Sequence, residues 1–315
     1  MALHVDVDTF VRAETDRMFA DLQRDAGGVN RFRHNRAPAS VDEQTVVRMN
    51  RDTLYSFAVV DLAGGATLTL PDAGERYVSA MVLDNDHLVS AVLHDPGEHA
   101  LDAAGVGTRY ALVAVRTLVD PRDPDDLAAV AAVQDAVTLA AASAEPFVAP
   151  DWDTGSLDAT RRPLLALAAG LRGFDRMFGT REQVDPARHL VGTAAGWGGL
   201  PTTEASYVGV DPQLPPGRYA LTLRDVPVDA FWSVSVYDAQ GFFAPNPQGA
   251  YSVNSVTAVR DDDGGVTVRF APADDPGDAP NTIPVPDGWN VLVRLYRPRA
   301  EVLDGTWTVP AIRAL

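Results

Sequence analysis

Apolar and polar residues follow two different periods along the chain. In residues 45–119 apolar positions alternate with polar ones or form short runs between Gly, Pro and Asp, which is typical of β-strands. From about residue 120 the chain becomes rich in Ala, and apolar residues recur at helical spacing. Short alternating segments return after residue 205. The pattern therefore predicts two β-rich regions with a helical region between them.

This order of elements predicts a mainly β, α+β protein, built as two β-sandwich, jelly-roll-like lobes joined by a helical connector. We expect an N-terminal helix plus a β-rich lobe over residues 1–120, the connector over 121–204 and a C-terminal β-sandwich lobe over 205–315. The N-terminal helix is amphipathic, with Phe10, Met18 and Phe19 at helical spacing, and Gly27 ends it.

Three polar residues, Asn50, Arg51 and Asp52, interrupt a run over residues 45–62 that is otherwise typical of a buried strand. Alternation would place Asn50 and Asp52 on one face of this strand, and Arg51 and Tyr55 on the other. Adjacent polar side chains are costly to bury without partners. They are therefore expected either to form a paired network or to face a pocket.

His87 is the histidine whose sequence context best suits chemistry. Alternation over residues 77–92 places Asn85 and His87 on one face of a strand, and Asp84 and Asp86 on the other. An imidazole that titrates near neutrality beside carboxylates suits general acid–base catalysis. The alternative is a histidine with a structural role in the strand.

Two C-terminal segments carry a face that is too polar for a sandwich core. Alternation in residues 231–238 sets Trp232 opposite Ser233, Ser235 and Tyr237. In residues 289–299 it places Asn290, Arg294 and Tyr296 on one face. We expect this face to line a cleft or a buried junction between the lobes. Trp197 lies among glycines that allow close backbone approach, so it is expected to contact a ligand or to fill that junction.

Composition excludes several kinds of chemistry. The chain has no Cys, and all 26 basic residues counted as Lys plus Arg are Arg, which rules out thiolate, Schiff-base and Walker-type phosphate sites. A net charge of −17 disfavours nucleic acid and anionic membranes as partners. There is no long apolar run and no signal-peptide pattern at the N-terminus, so we expect a cytoplasmic protein.

Segments spread over nearly the whole chain resemble a bacterial family with two modules, the domains of unknown function DUF1254 and DUF1214. The resemblance is carried by FVRAETDRMFA, VVRMNRDTLYS, LDNDHLVS, VQDAV, EQVDPARHLVGTAAGWGGLP, VPVDAFWSVSVYDAQGFF, AYSVNSVTA and PDGWNVLVRLYRPR. It implies the same two sandwich-like lobes but no particular reaction. Where the family often has NCLPI, this chain has NTIPV, so the resemblance implies no required Cys.

We predict a metal- and cofactor-independent enzyme that uses acid–base chemistry on a small molecule, by hydrolysis, elimination or isomerisation, in a cleft between the lobes. The expected catalytic residues are His87, Asp52, Arg51 and Tyr55. The expected substrate-binding residues are Asn50, Asn85, Trp197, Trp232, Tyr237, Asn254, Arg294 and Tyr296. The alternative is a non-catalytic protein that binds small molecules or carbohydrates. A metal enzyme built on His87 with Asp84 or Asp86 is a third hypothesis, and a homo-oligomer is compatible with the sequence.

Overall fold

In a computed structural model, the chain is mainly β, as the sequence predicts. The structure describes residues 2–44, 47–169, 171 and 173–315, and over these it has 16 strands and six helices. The chain forms two compact units. The first unit consists of Met1–Ala37 and Thr53–Thr202, and the second of Pro38–Asp52 and Thr203–Leu315.

The first unit has a five-stranded antiparallel sheet, β1-β2-β7-β4-β5, and a three-stranded antiparallel sheet, β6-β3-β8. Its elements are α1 Phe10–Ala26, β1 Arg33–His34, β2 Thr53–Asp61, β3 Ala66–Leu70, β4 Val78–Asp84, β5 Val89–Leu93, β6 Gly97–Leu101, α2 Ala103–Val106, β7 Tyr110–Leu118, α3 Pro124–Ala136, β8 Thr138–Ala141, α4 Thr154–Ala169 and α5 Pro186–Gly196.

Alternate residues of these strands build the core of the first unit. Val60 of β2, Leu68 of β3, Val82 of β4 and Val113 of β7 are all fully buried in one apolar cluster. A second cluster is formed by the helices, where residues such as Phe10 of α1 are buried. The predicted N-terminal helix is confirmed as α1.

The helix predicted after residue 120 is shorter than the sequence suggests. Helix α3 ends at Ala136, and Thr138–Ala141 forms strand β8. This strand pairs antiparallel with β3, so tertiary pairing overrides the helical propensity of the Ala-rich tail. The helices α3, α4 and α5 of the predicted connector belong to the first unit. Within the predicted connector, Gly170 and Arg172 lie outside the described residues.

The second unit has two four-stranded sheets, β14-β13-β10-β16 and β12-β11-β15-β9. The strands pair antiparallel except β13 and β14, which are parallel. Val234, Val268, Ile283 and Val293 are fully buried in one core cluster of this unit. The elements are β9 Ala205–Val210, β10 Tyr219–Leu223, β11 Trp232–Tyr237, β12 Ser252–Asn254, β13 Val266–Pro272, β14 Thr282–Val285, β15 Asn290–Tyr296, α6 Ala300–Leu303 and β16 Arg313–Ala314.

The single strand predicted over residues 45–62 is wrong. Strand β2 begins at Thr53, so Asn50, Arg51 and Asp52 precede it, and Thr45 and Val46 lie outside the described residues. Arg48 has a left-handed backbone with φ of 54°, which is incompatible with a strand. The backbone N–H of Asp52 then donates to the Asn50 side-chain oxygen at 2.9 Å, a local turn that competes with strand pairing. The predicted alternation of faces at these residues therefore does not exist.

Candidate functional site

His87 lies in a turn of the first unit and not in a strand, which corrects the alternation predicted for it. Strand β4 ends at Asp84 and β5 begins at Val89. His87 has a φ of 60°, in the left-handed region. One carboxylate oxygen of Asp84 accepts from the backbone N–H groups of Asp86 and Leu88, both at 2.8 Å. Asp84 thus fixes the turn, and the partners of its carboxylate are backbone groups.

The His87 ring is buried and uses both of its nitrogens. Gly198 donates its backbone N–H to Nε2 at 2.8 Å, so a neutral ring carries its proton on Nδ1. Nδ1 lies 2.9 Å from the Thr193 hydroxyl, which in turn donates to the His189 carbonyl. Burial, and then the charge of His189, lower the pKa of His87 well below its ordinary value. The ring is therefore a neutral, fully bonded part of the interior.

Aromatic rings enclose His87 on both faces. The Trp197 ring stacks on it with centroids 5.4 Å apart, and the His189 ring does so at the same separation. The Trp197 indole N–H donates to Thr15 of α1 at 3.2 Å. A Cβ at Gly199 would collide with the Phe178 ring. The glycines beside Trp197 therefore allow close packing, as predicted. We call His87, Thr193, His189, Trp197 and Gly198 the His87 cluster.

Asn85 makes well-formed contacts in the first unit. Its side-chain amide donates to Asp16 at 2.8 Å, and its backbone N–H donates to Thr108. The Trp152 indole donates to the other oxygen of Asp16. Burial raises the pKa of Asp16, while the hydrogen bond from Trp152 opposes this shift.

The predicted catalytic residue Tyr55 lies on β2 and contacts a residue that sequence reasoning missed. The Tyr55 ring stacks on Phe57, and the guanidinium of Arg116 lies 5.2 Å from its centroid. Arg116 also donates to the Gly198 carbonyl at 2.7 Å. The Gly198 backbone is therefore bound through its N–H by His87 and through its carbonyl by Arg116. Nothing in the local sequence around Arg116 indicates this role.

In the second unit, one sheet has an apolar face and a polar face. Trp232, Val234, Val291 and Val293 face the apolar core. Trp232 was predicted to bind substrate, but its side chain packs there. The opposite face, which we call the polar face, is formed by β11, β12 and β15. Its polar members are Ser233, Ser235, Tyr237, Ser252, Asn254, Asn290, Arg294 and Tyr296. Leu292 lies among them and packs with Tyr237, Phe243 and Tyr251.

The strand register brings residues of the polar face into rows. Ser233 is paired with Asn254 on one side and with Arg294 on the other. Ser235 is paired with Ser252. Side chains directly opposite one another in an antiparallel pair have Cβ atoms about 4.5–5.5 Å apart, so these groups are neighbours. Ser233 and Ser235 are fully buried, and Asn254 and Arg294 nearly so.

Arg294 connects the polar face to the Pro38–Asp52 segment. Its guanidinium donates to Ser235 at 2.8 Å, to the Tyr237 hydroxyl at 2.7 Å and to the backbone carbonyls of Arg48 and Met49. Tyr237 also donates to the Met49 carbonyl at 2.8 Å.

Opposing effects act on the pKa of Arg294. Burial lowers it, but interactions with Tyr237, Tyr296 and Asp52 together raise it above its ordinary value. Burial also raises the pKa of Tyr237, against the opposing charge of Arg294. The pair therefore consists of a permanent cation and a neutral phenol.

Asp52 lies fully buried against the same face. One carboxylate oxygen, Oδ1, accepts from Ser252 at 3.1 Å and from Asn254 at 3.5 Å. Asn50 donates to the Tyr296 hydroxyl at 3.0 Å, which holds the turn before Asp52.

Arg51 is bound by a backbone carbonyl and an aromatic ring of the second unit. Its guanidinium donates to the Ala39 carbonyl and lies 5.2 Å from the centroid of the Tyr251 ring. Burial lowers the pKa of Arg51, against the opposing charges of Tyr251 and Asp52.

Several buried polar atoms at this face have no hydrogen-bond partner in the part of the chain that the structure describes. They are Asp52 Oδ2, Ser233 Oγ, Asn290 Oδ1 and Arg48 Nη1. A buried polar atom without a partner destabilises a fold by about 1–3 kcal/mol, and by more when it is charged. Elsewhere in the fold, Thr117 Oγ1 and Trp289 Nε1 are also buried without a hydrogen-bond partner among the described residues. A carboxylate oxygen is the strongest acceptor among these atoms.

The predicted site residues thus fall into two groups. Asn50, Asp52, Tyr237, Asn254, Arg294 and Tyr296 come together at the polar face, whereas Tyr55, Asn85, His87 and Trp197 belong to the first unit. Sequence reasoning did not identify Arg48 or Ser252. Ser252 alternates with Asn254 and could have been found from that spacing. Arg48 carries no comparable signal.

Over the residues that the structure describes, no group of three or more His, Cys, Asp or Glu side chains is placed to hold a metal ion. Among those same residues, no helix is both long enough and apolar enough to cross a bilayer.

Solved structures with the same fold exist. The VPA0106 protein from Vibrio parahaemolyticus is 18% identical and superimposes with a TM-score of 0.72, covering 98% of this chain and 97% of that chain. An uncharacterised protein from Burkholderia cenocepacia is 16% identical, with a TM-score of 0.52 and coverage of 97% and 85%. At these identities the likeness shows the fold alone. No curated protein matches the chain.

Family comparison identifies both modules. Residues 29–141 match the protein of unknown function DUF1254, and residues 212–300 match the protein of unknown function DUF1214. The matches follow one another in the order that the sequence motifs predict. The chain belongs to the two-module family that combines DUF1254 with DUF1214.

Proposed function

We propose that the protein binds a small polar molecule, and that the site is the polar face of the second unit. The observation that carries this proposal is Asp52 Oδ2, a fully buried carboxylate oxygen without a hydrogen-bond donor among the described residues. Ser233 Oγ and Asn290 Oδ1 on the same face are unpartnered as well. A ligand that donates hydrogen bonds to these atoms would remove their desolvation penalty.

A sheet that served only as structure would gain by avoiding such atoms. Apolar side chains of similar volume often replace buried polar networks without loss of stability. The opposite face of the same sheet is built from Val, Leu and Trp. The presence of buried Ser, Asn and Arg side chains on the other face, with Asp52 against them, therefore favours a role in recognition.

Acid–base catalysis is the second candidate, and Asp52 is the group that favours it. A carboxylate oxygen that accepts no hydrogen bond keeps its lone pairs for a proton of the bound molecule. The catalytic role predicted for His87 stays a prediction. His87 would have to give up its bond to Gly198 or to Thr193 before it could exchange a proton with a ligand.

The proposal includes a small molecule as the partner, with neither a metal ion nor an organic cofactor. Nucleic acid and anionic membrane surfaces are disfavoured because the chain carries a net charge of −17. A cytoplasmic location and self-association into a homo-oligomer complete the proposal.

A thermal-shift screen with the full-length protein tests the proposal. The probes are small carboxylates, primary amines, diols and sugars, each at millimolar concentration. We expect at least one class to raise the melting temperature of the wild type but not that of Asp52→Asn. Asp262→Asn is the matched control, since it removes the same charge from an exposed position of the same unit. The proposal fails if no probe shifts the wild type, or if every shift persists in Asp52→Asn.

A further inference from the structure

We infer that the ligand of the polar face is a small hydroxycarboxylate, an anion that also carries a hydroxyl donor. This inference rests on the proposed function and specifies its ligand. It follows from two buried atoms of opposite character, Asp52 Oδ2 and Arg48 Nη1, neither of which has a hydrogen-bond partner in the described part of the chain.

The acceptors at the face require a donor on the ligand. Asp52 Oδ1 is already occupied by Ser252 and Asn254, so Oδ2 is the oxygen that remains for an incoming group. Asn290 Oδ1 is a further acceptor, because the amide nitrogen of Asn290 donates to the Asp238 carbonyl. A carboxylate ligand without a hydroxyl or N–H group would leave Asp52 Oδ2 unpartnered.

The cations at the face require an anionic group on the ligand. Arg48 and Arg294 both lie against the Tyr237 ring, with guanidinium carbons 5.8 Å and 6.0 Å from its centroid. Burial lowers the pKa of Arg48; the charge of Arg294 lowers it further, while Tyr237 and Asp211 oppose these effects. Nη1 and Nη2 of Arg294 both have hydrogen-bond partners, whereas Nη1 of Arg48 is buried and has none among the described residues.

The balance of charge decides between an anionic and a cationic ligand. The guanidinium groups of Arg51 and Arg294 lie within electrostatic range of the buried Asp52 carboxylate, and that of Arg48 lies near Arg294 and Asp211, so three cations of this site face two carboxylates. An amine would satisfy Asp52 but would add another positive charge to this excess. A carboxylate group offsets the excess, and a hydroxyl on the same molecule supplies the donor for Asp52.

Probes that differ in one functional group test the need for the hydroxyl and the need for the carboxylate separately. Lactate carries both groups, propionate lacks the hydroxyl, and propane-1,2-diol lacks the charge, while all three have the same number of carbons. Gluconate and sorbitol form an equivalent pair of six carbons for a longer site. Calorimetric titration of the full-length wild type should show lactate or gluconate binding at least tenfold more tightly than its matched partners.

Two substitutions test which protein residue binds the hydroxyl of the ligand and which binds its carboxylate. Asp52→Asn and Arg48→Met should each weaken hydroxycarboxylate binding tenfold or more, whereas binding of propionate should depend on Arg48 alone. Asp262→Asn and Arg313→Met, at exposed positions of the same unit, should leave binding unchanged.

Two results overturn the inference. If propionate, a diol or an amine binds as tightly as the hydroxycarboxylates and depends on Asp52, the ligand class is wrong while the proposed site stands. If no probe binds in a way that depends on Asp52, the proposed function fails and the inference fails with it.

Discussion

The His87 cluster and the polar face are both buried and polar, but they differ in how their hydrogen bonds are completed. In the His87 cluster, both ring nitrogens, the Thr193 hydroxyl and the Trp197 indole N–H have partners. At the polar face, a carboxylate oxygen and a guanidinium N–H group of the described residues have none.

We attribute this difference to two roles, a structural role for the His87 cluster and the proposed role in ligand recognition for the polar face. A buried polar network with every partner present makes the fold rigid and specific. A buried network that contains donors and acceptors without partners carries a desolvation free energy, which a ligand removes by forming the missing hydrogen bonds. The residue that looked most catalytic in the sequence, His87, therefore belongs to the completed network, and Asp52 belongs to the open one.

The largest effect is expected from Arg294→Met. This change removes the donor to Ser235, Tyr237 and two backbone carbonyls of the Pro38–Asp52 segment. The free energy of unfolding in urea should fall by about 3–5 kcal/mol. Arg313→Met is the control and should change it by less than about 0.5 kcal/mol. A loss below about 1 kcal/mol would show that Arg294 does not hold this segment.

His87→Leu should be the next most damaging change. It leaves the Gly198 N–H without its acceptor and removes the partner of Thr193, so we expect a loss of about 2–4 kcal/mol in the same assay. His4→Leu, at an exposed position, should be nearly neutral. Equal stability of His87→Leu and wild type would contradict the structural role of the cluster.

The pH dependence of stability tests whether His87 is buried as a neutral ring in the folded protein. The pKa of His87 is lowered in the folded state, so below about pH 6.5 the unfolded chain binds a proton that the folded chain does not. Stability should therefore fall on acidification, with His87 contributing up to about 1.4 kcal/mol per pH unit. Urea unfolding of wild type and His87→Leu between pH 7 and pH 5 isolates this contribution. Parallel pH profiles would contradict it.

The smallest effect is expected from Asp52→Asn without ligand. Oδ2 has no donor to lose, and Asn keeps an acceptor for Ser252 and Asn254. The substitution therefore removes only the charge that offsets Arg294, and the free energy of unfolding should fall by less than about 1 kcal/mol. Asp61→Asn in the first unit is the contrast. Asp61 accepts from Arg109, Ser143 and two backbone N–H groups, and Arg109 holds its pKa well below its usual range. That variant should lose about 2–4 kcal/mol. Similar losses of stability in both variants would show that the Asp52 carboxylate is as fully hydrogen-bonded as that of Asp61.

Alternation along the chain predicted much of the second unit. The spacing of Ser233, Ser235 and Tyr237, and of Asn290, Arg294 and Tyr296, indicated a polar face opposite Trp232, and the structure has that face. These residues lie in regular strands, where the period of two holds over the whole segment.

Prediction failed where turns replace strands and where partners are distant in sequence. Arg48 and His87 adopt left-handed backbone conformations that hydrophobic patterns do not reveal. Asp52 meets Ser252 and Asn254 about two hundred residues further along the chain. Local patterns cannot show which donors reach a carboxylate across such a separation, so they could not distinguish a complete network from an open one.

The most direct test of the proposed site is a high-resolution crystal structure of the protein grown with lactate or gluconate. We expect electron density for the hydroxycarboxylate, with its hydroxyl within hydrogen-bond distance of Asp52 Oδ2 and its carboxylate near Arg48 Nη1. Density for a single water molecule at Asp52, or a protein donor that occupies Oδ2 directly, would contradict the assignment of the polar face as a ligand site.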